Sequence, residues 1–390
     1  MSKDRLRIGF IPLVDAAALI VAADKGFAAD EGLSIDLVRE ASWSNVRDKL
    51  NIGLFDAAHL LAPVAIASSL GVGHIKVPLV TPFVLGLNGN AITVSPTLFA
   101  ALAEMANGDL GDPRVTANAL ARVVAERRRR RAEPLVFGMT FPFSTHNYQL
   151  RFWMAAGGVD PDEDVRLVVL PPPYMVESLA NAQVDGFCVG APWNSVAVDL
   201  GIGHILHFGC DVLARAPEKA LALRATWATD HDDTLRRLLR ALDRAAALVN
   251  DPARLDEAAA LLAAPERVGV APELIRKTLQ GRLRVAPNGP VREATNYMLI
   301  GRDDAARPQP IHAAWLYAQM VRWRQTLPSA QLLAAAKASF RPDLYDAALG
   351  ANKKPEPLPQ DGVGAFTGEP FDADNIFGRI ALSALKRQRS

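Results

Sequence analysis

An α/β protein of two lobes is what this sequence predicts, on three observations. Strand-like apolar runs alternate at short intervals with helix-patterned segments, the signature of mostly parallel sheets covered on both faces. The chain has 390 residues, more than one hydrophobic core usually holds. The segment VPLVTPFVLGLNGNAITV, 77–94, is long and extended, broken at Gly86 and Gly89, and reads as a crossing from one lobe to the other.

The elements follow in order. A first strand covers Arg7 to Leu13, and a helix covers Ala16 to Ala23. LSIDLVRE from Leu33 alternates apolar and polar residues as a second strand does. A helix runs from about Ser44 to Gly53, and FDAAHLLAP supplies a short strand and a further helix through Leu70. In such sheets ligands sit at the carboxyl ends of the strands, which is where Asp15, Trp43 and His59 fall.

The second lobe contains LVFGMTFPFSTHNYQLRFWMAAGGVD, 135–160. An apolar strand breaks at Gly138 and Pro142. Ser144 and Thr145 cap a helix that stops at Gly157-Gly158, with His146 in its first turn. A strand feeding a helix through a polar loop leaves backbone N–H groups unpaired, and such donors attract an anion. Two more strand and helix units follow, VRLVVLPPPYMVESLA and VDGFCVGAPWNSVAV, and GIGHILHFGCDVLARAPEKALALRATWATD leads back. The expected division is 1–86 for the first part of lobe one, 87–222 for lobe two, 223–352 for a helical return to lobe one, and 353–390 for a tail. The Pro- and Gly-rich stretch Lys353 to Gly368 is expected to wrap the surface or move.

Composition narrows the function classes. Half the residues are hydrophobic and 22% are charged, with a net charge of +1, so no global field favours nucleic acid or an anionic membrane. No apolar stretch reaches the length of a membrane span. Cys188 and Cys210 stand apart in apolar surroundings, which predicts buried free thiols and no thiolate metal site. His204 and His207 in GHILH point to opposite faces of a strand and so do not chelate a metal. ERRRRR, 126–131, lies at a helix end and lacks interleaved aromatics, so it reads as a solvated terminus. MSKDRLRIGFIPLV passes directly into a strand with no apolar leader, from which a cytoplasmic location is expected.

Several segments together resemble the nitrate-binding family of ABC-transporter solute receptors. They are GFIPLVDAAALIVAADKGF, REASWSNVRDKL, LNGNAITV, FPFSTHNYQLRFWMAAGGVDPDEDV, LPPPYMV, FCVGAPWN and PEKALALRATW, in this order. The resemblance implies a periplasmic-binding-protein type II fold, two α/β lobes closing on a ligand in a hinged cleft, with no cofactor, no metal and no catalysis. It also implies an anion site of Trp43, Asn90, His146 and Lys219, to which backbone groups near Ser144 and Thr145 are added. Asn90 replaces a family glutamine, which bears on nitrate against nitrite. Ala191 stands where transport receptors carry glutamate, and Lys219 stands where bicarbonate-binding relatives carry an acid. The chemistry suits a planar monovalent oxyanion: a lysine charge, an imidazole, an amide and an indole.

Among such proteins the chain looks like the NasS-type cytosolic nitrate/nitrite sensors. These hold a NasT-type RNA-binding antiterminator protein and release it when the anion binds. The alternative is the receptor of a nitrate/nitrite ABC transporter. An enzyme of the same fold would need a cysteine-rich segment or an HxE or G-x-S-x-G pattern, and the sequence carries none of these. A sulfonate receptor does not predict the TH and PEKAL pair.

Overall fold

In the computed structural model, residues 4–350, 358–368 and 371 are described. The strands are β1 Asp4–Phe10, β2 Leu33–Arg39, β3 Ala57–Leu61, β4 Leu79–Asn88, β5 Asn90–Val94, β6 Val136–Met139, β7 Arg166–Val169, β8 Gly186–Gly190, β9 His204–Phe208, β10 Pro217–Arg224, β11 Arg282–Arg284, β12 Val291–Glu293 and β13 Met298–Leu299. One lobe is built on the sheet β13-β4-β10-β3-β1-β2 and the other on β7-β6-β8-β5-β9.

Both sheets are mixed rather than mostly parallel. β1 pairs in parallel with β2 and β3, whereas β10 runs antiparallel between β3 and β4. In the second sheet β5 is antiparallel to β8 and β9. The reason is the double crossing: a chain that leaves one sheet and later returns to its middle enters from the opposite end. The strands that cross therefore oppose their neighbours.

The outward crossing is one turn. Asn88 and Gly89 both have positive φ, 60° and 84°, a region that Asn tolerates and Gly adopts freely. The Asn88 side chain donates to the carbonyls of Ala214 (2.7 Å) and Asn296 (2.9 Å) and accepts from the Ala216 N–H (2.7 Å). The outward and return crossings are thereby tied together. Asn90, next to that turn, is the first residue of β5 and not a turn residue. The return lies between the helix Gly209–Val212 and β10, so residues 217–222, assigned from sequence to the second lobe, belong to the first lobe's sheet.

Helices cover the sheets where the apolar periodicity requires it. The alanine-rich helix Asp232–Asn250 buries Leu235, Leu238, Leu239, Leu242 and Val249 and packs along Ala17–Asp24. The helices Pro310–Arg322 and Ala330–Ser339 pack on Ala62–Leu70. Gln325, just beyond the first of these, donates to the Pro142 carbonyl and accepts from the Tyr148 hydroxyl of the second lobe. Part of the tail is in place: Asp361 accepts from the N–H groups of Val363, Gly364 and Ala365, and Gly362 O accepts from His312 (2.9 Å). Residues 353–357, 369–370 and 372–390 of the expected tail lie outside those described.

Candidate functional site

Two capped helix starts and one irregular strand converge where the lobes meet. Ser42 caps the helix Trp43–Asn51 by accepting from the Asn45 N–H (3.3 Å), which sets Trp43 at the first turn. Ser144 caps Thr145–Ala156 in the same way through Asn147 (3.0 Å), which sets His146. The strand is β10. Successive side chains of a regular strand point to opposite faces, yet Glu218 and Lys219 both reach the site. The pairing with β4 shifts register on either side of Lys219, and this bulge turns both side chains inward.

Asp15, His59, His146, Glu218 and Lys219 are each 0% exposed. Lys219 Nζ lies 3.0 Å from Asp15 Oδ2 and 3.0 Å from Glu218 Oε1, and 5.3 Å from the centre of the Trp43 ring. His59 accepts from the Ile11 N–H at Nδ1 (3.5 Å), so its Nε2–H donates to Asp15 Oδ1 (2.8 Å). Glu218 Oε2 accepts from the Asn90 amide (2.7 Å), and Oε1 lies 3.2 Å from His146 Nδ1. Thr140 Oγ1 is 3.0 Å from the same nitrogen.

Burial and charge pull these groups in different directions. Burial raises the Asp15 carboxyl, but Lys219 and His59 overcome it and hold it at about 2. Burial raises Glu218 too, and there Lys219 only partly opposes it, leaving the carboxyl at about 7. Burial lowers His59, and burial together with Lys219 drives His146 well down, so both imidazoles are neutral. Burial lowers Lys219, but its two carboxylates outweigh that and push it up.

The structure sorts the residues expected from sequence. Trp43 Nε1 and His146 Nε2 are buried polar atoms without a partner, as a ligand contact requires. Lys219 supplies the positive charge. Asn90 donates an amide N–H to Glu218, while its Oδ1, beside Gly209, is a buried atom without a partner. Thr145, expected to offer its backbone N–H, stands at the helix start, and its hydroxyl donates to the Pro217 carbonyl (2.8 Å), tying that start to β10. Asp15 and His59, placed from sequence only at a strand end, are part of the ion network. Glu218 and Thr140 were not anticipated. The signal for Glu218 was its place beside Lys219; on a regular strand the two side chains would face opposite ways, and only the bulge brings both in.

Other expectations can be placed too. Cys188 and Cys210 are free and buried. His204 stacks on Phe99 at 4.3 Å, whereas His207 bonds Thr116 (2.6 Å), so the two part. Among the described residues no cluster of His, Cys, Asp and Glu is arranged to hold a metal, and no helix is long and apolar enough to cross a membrane. The arginine run ends the helix Pro113–Arg129, where Arg128 pairs with Asp164 and Arg129 and Arg130 pair with Glu126.

Known proteins share both sequence and architecture with this chain. The model of the NMT1-like family matches residues 1–263. The nitrate import ATP-binding protein NrtC of Synechocystis sp. (strain PCC 6803) is 33% identical over 394 residues, covering 99% of this chain and 56% of its own length. The chain thus spans only about half of that relative. The nitrate/nitrite binding protein NrtA of Synechococcus elongatus is 31% identical over 380 residues, 94% of this chain and 83% of that protein. Bicarbonate transport proteins are also among the relatives. The crystal structure of the periplasmic nitrate-binding protein NrtA from Synechocystis PCC 6803 superposes with a TM-score of 0.87 at 26% identity, covering 97% of this chain and 98% of that one. A matching family model over two thirds of the chain, a relative matched over most of both lengths and a shared two-lobe architecture agree: the chain belongs to the NMT1-like family, among the relatives of the NrtA binding proteins.

Proposed function

We propose that this chain binds nitrate or nitrite between its lobes and reports the binding by closing on it. The observation that carries the reading is the buried group at the lobe junction: the Lys219 ammonium together with Trp43 Nε1 and His146 Nε2, two unpartnered nitrogens, one from each lobe. A buried anion needs its lone pairs met from several directions, and only a closed pair of lobes offers that. The likeness to the NrtA proteins, which are named for nitrate and nitrite, supports the same ligands. Calorimetric titration with nitrate, nitrite, bicarbonate and sulfate tests it. Heat with nitrate or nitrite, lost in Lys219→Ala, is the expected result; heat with sulfate or bicarbonate alone sinks the reading.

The finer reading is a cytoplasmic sensor whose closure releases a NasT-type RNA-binding antiterminator protein. Its support is the sequence resemblance to sensors of that kind. Closure changes the outer surface, and a partner that prefers the open form leaves when the anion binds, by as much as its affinities for the two forms differ. The likeness to a periplasmic NrtA favours the second reading, the receptor of a nitrate/nitrite ABC transporter. Affinity purification from cells grown with and without nitrate separates them. A regulator retained only without nitrate supports the sensor, and capture of a membrane permease instead supports the receptor.

A further inference from the structure

The charges of the site do not balance for an anion. Asp15 and Glu218 bring two carboxylates against the single ammonium of Lys219, and His59, which accepts from Ile11 and donates to Asp15, adds no charge. With both acids ionised the pocket carries one excess negative charge before any ligand enters. A bound anion would make that two, in a place from which water is excluded and like charges repel strongly.

His146 sharpens the difficulty. Its Nδ1 faces Glu218 Oε1 at 3.2 Å, with Thr140 Oγ1 at 3.0 Å, and its Nε2 is the buried, unpartnered atom. When Glu218 is ionised, its Oε1 at 3.2 Å favours the ring proton on Nδ1, where Thr140 Oγ1 at 3.0 Å also accepts it. Nε2 is then a bare lone pair, which repels an anion. When Glu218 is protonated, its O–H donates to Nδ1, the ring proton moves to Nε2, and that nitrogen becomes a donor. One added proton thus cancels the excess charge and turns His146 into an anion ligand.

We propose that the Glu218–His146 pair takes up one proton as the anion binds, so that the site captures a monovalent anion and a proton together. This rests on the anion-binding reading above and adds to it a specificity-determining carboxyl. The titratable groups around Glu218 are Asp15 from the turn after β1, Lys219 from β10, His146 from Thr145–Ala156, Cys188 from β8 and, beyond Asp15, His59 from β3 and Tyr297 ahead of β13. Burial keeps Cys188 and Tyr297 protonated and neutral, so neither supplies the missing positive charge. Because burial and Lys219 keep His146 neutral while burial raises Glu218 to about 7, the carboxyl holds the proton. The coupled range is therefore near neutrality.

Nitrate is the probe, since it does not titrate in this range and any proton taken up is the protein's. The full chain is titrated calorimetrically at about pH 6 and about pH 8.5 in buffers of different ionisation enthalpy. The expected result is uptake near one proton per nitrate at the higher pH and near none at the lower. Affinity should fall about tenfold per pH unit above the free carboxyl's range. Glu218→Gln, which keeps the neutral shape, should show no uptake and a flat pH profile. Nitrate binding at pH 8.5 with no proton uptake by the wild-type chain overturns the proposal and leaves the anion reading standing. So does a Glu218→Gln protein that still takes up a proton. Absence of nitrate and nitrite binding at both pH values overturns the anion reading and this proposal with it. The wild-type measurement decides even where the variant does not fold.

Discussion

The two lobes contribute opposite kinds of chemistry to one site. The first supplies every ionised group: Asp15, Glu218 and Lys219, with His59 to orient Asp15. The second supplies neutral groups: Asn90, Thr140 and His146, with Cys188 behind them. On the proposed function, this division couples closure to binding. Charges confined to one lobe stay hydrated when the cleft is open. They become costly when the second lobe covers them, unless a ligand and its proton complete the set.

The most severe way to break this contrast is Lys219→Ala. It leaves two buried carboxylates facing each other with no cation, and breaking such a pair costs about 3–5 kcal/mol. Nitrate affinity should fall by more than about a hundredfold, and thermal melting should drop clearly. A variant that melts like the wild type and still binds nitrate would show that the first lobe's charges are not the source of binding.

Melting against pH, without ligand, sharpens the same contrast. Glu218 is raised from an ordinary 4.5 to about 7. Its contribution to stability is therefore fully present below 4.5 and is lost as pH rises through about 7. Asp15 is depressed to about 2, so its contribution is present above its ordinary 3.8 and disappears as pH falls through about 2. The wild-type chain should melt several degrees lower at pH 8 than at pH 5, and Glu218→Gln should remove most of that slope. A slope unchanged by the variant would assign the effect elsewhere.

A smaller effect is expected on the neutral side. A Cβ at Gly209 would stand 1.7 Å from Asn90 Oδ1, so Gly209→Ala must push that side chain off Glu218. Losing one hydrogen bond to a carboxylate is worth about 1.5–3 kcal/mol; since that bond favours the ionised Glu218, its loss raises the carboxyl further, and nitrate affinity above neutral pH should rise by up to about tenfold. Unaltered affinity would mean that Asn90 holds nothing the anion feels. The least effect belongs to the arginine run. Arg129→Ala and Arg130→Ala remove exposed pairs to Glu126 and should leave the melting temperature and nitrate affinity essentially unchanged.

Much of the architecture could be read from local pattern. The helix at Thr145–Ala156 was visible in its Ser cap and closing glycines, and β2 in its alternation, because caps and periodicity act over a few residues. The boundary at 222 failed for the opposite reason: PEKALALR looks the same whichever sheet receives it, and pairing with β3 and β4 is a choice between distant partners. Glu218 was hidden by the bulge, and its bond from Asn90 joins residues 128 positions apart, a meeting no local pattern announces.

By itself, then, the sequence determined that there are two α/β lobes, that the thiols are buried and free, and that the arginines lie at a helix end. Those features follow from spacing and residue type. The tertiary structure alone decided that Lys219 is shared between Asp15 and Glu218, and that Asn90 serves the carboxylate. It also decided that His146 meets a second titratable group. Such facts depend on which side chains meet across the cleft, and the energy of a buried charge is set by its neighbours in space.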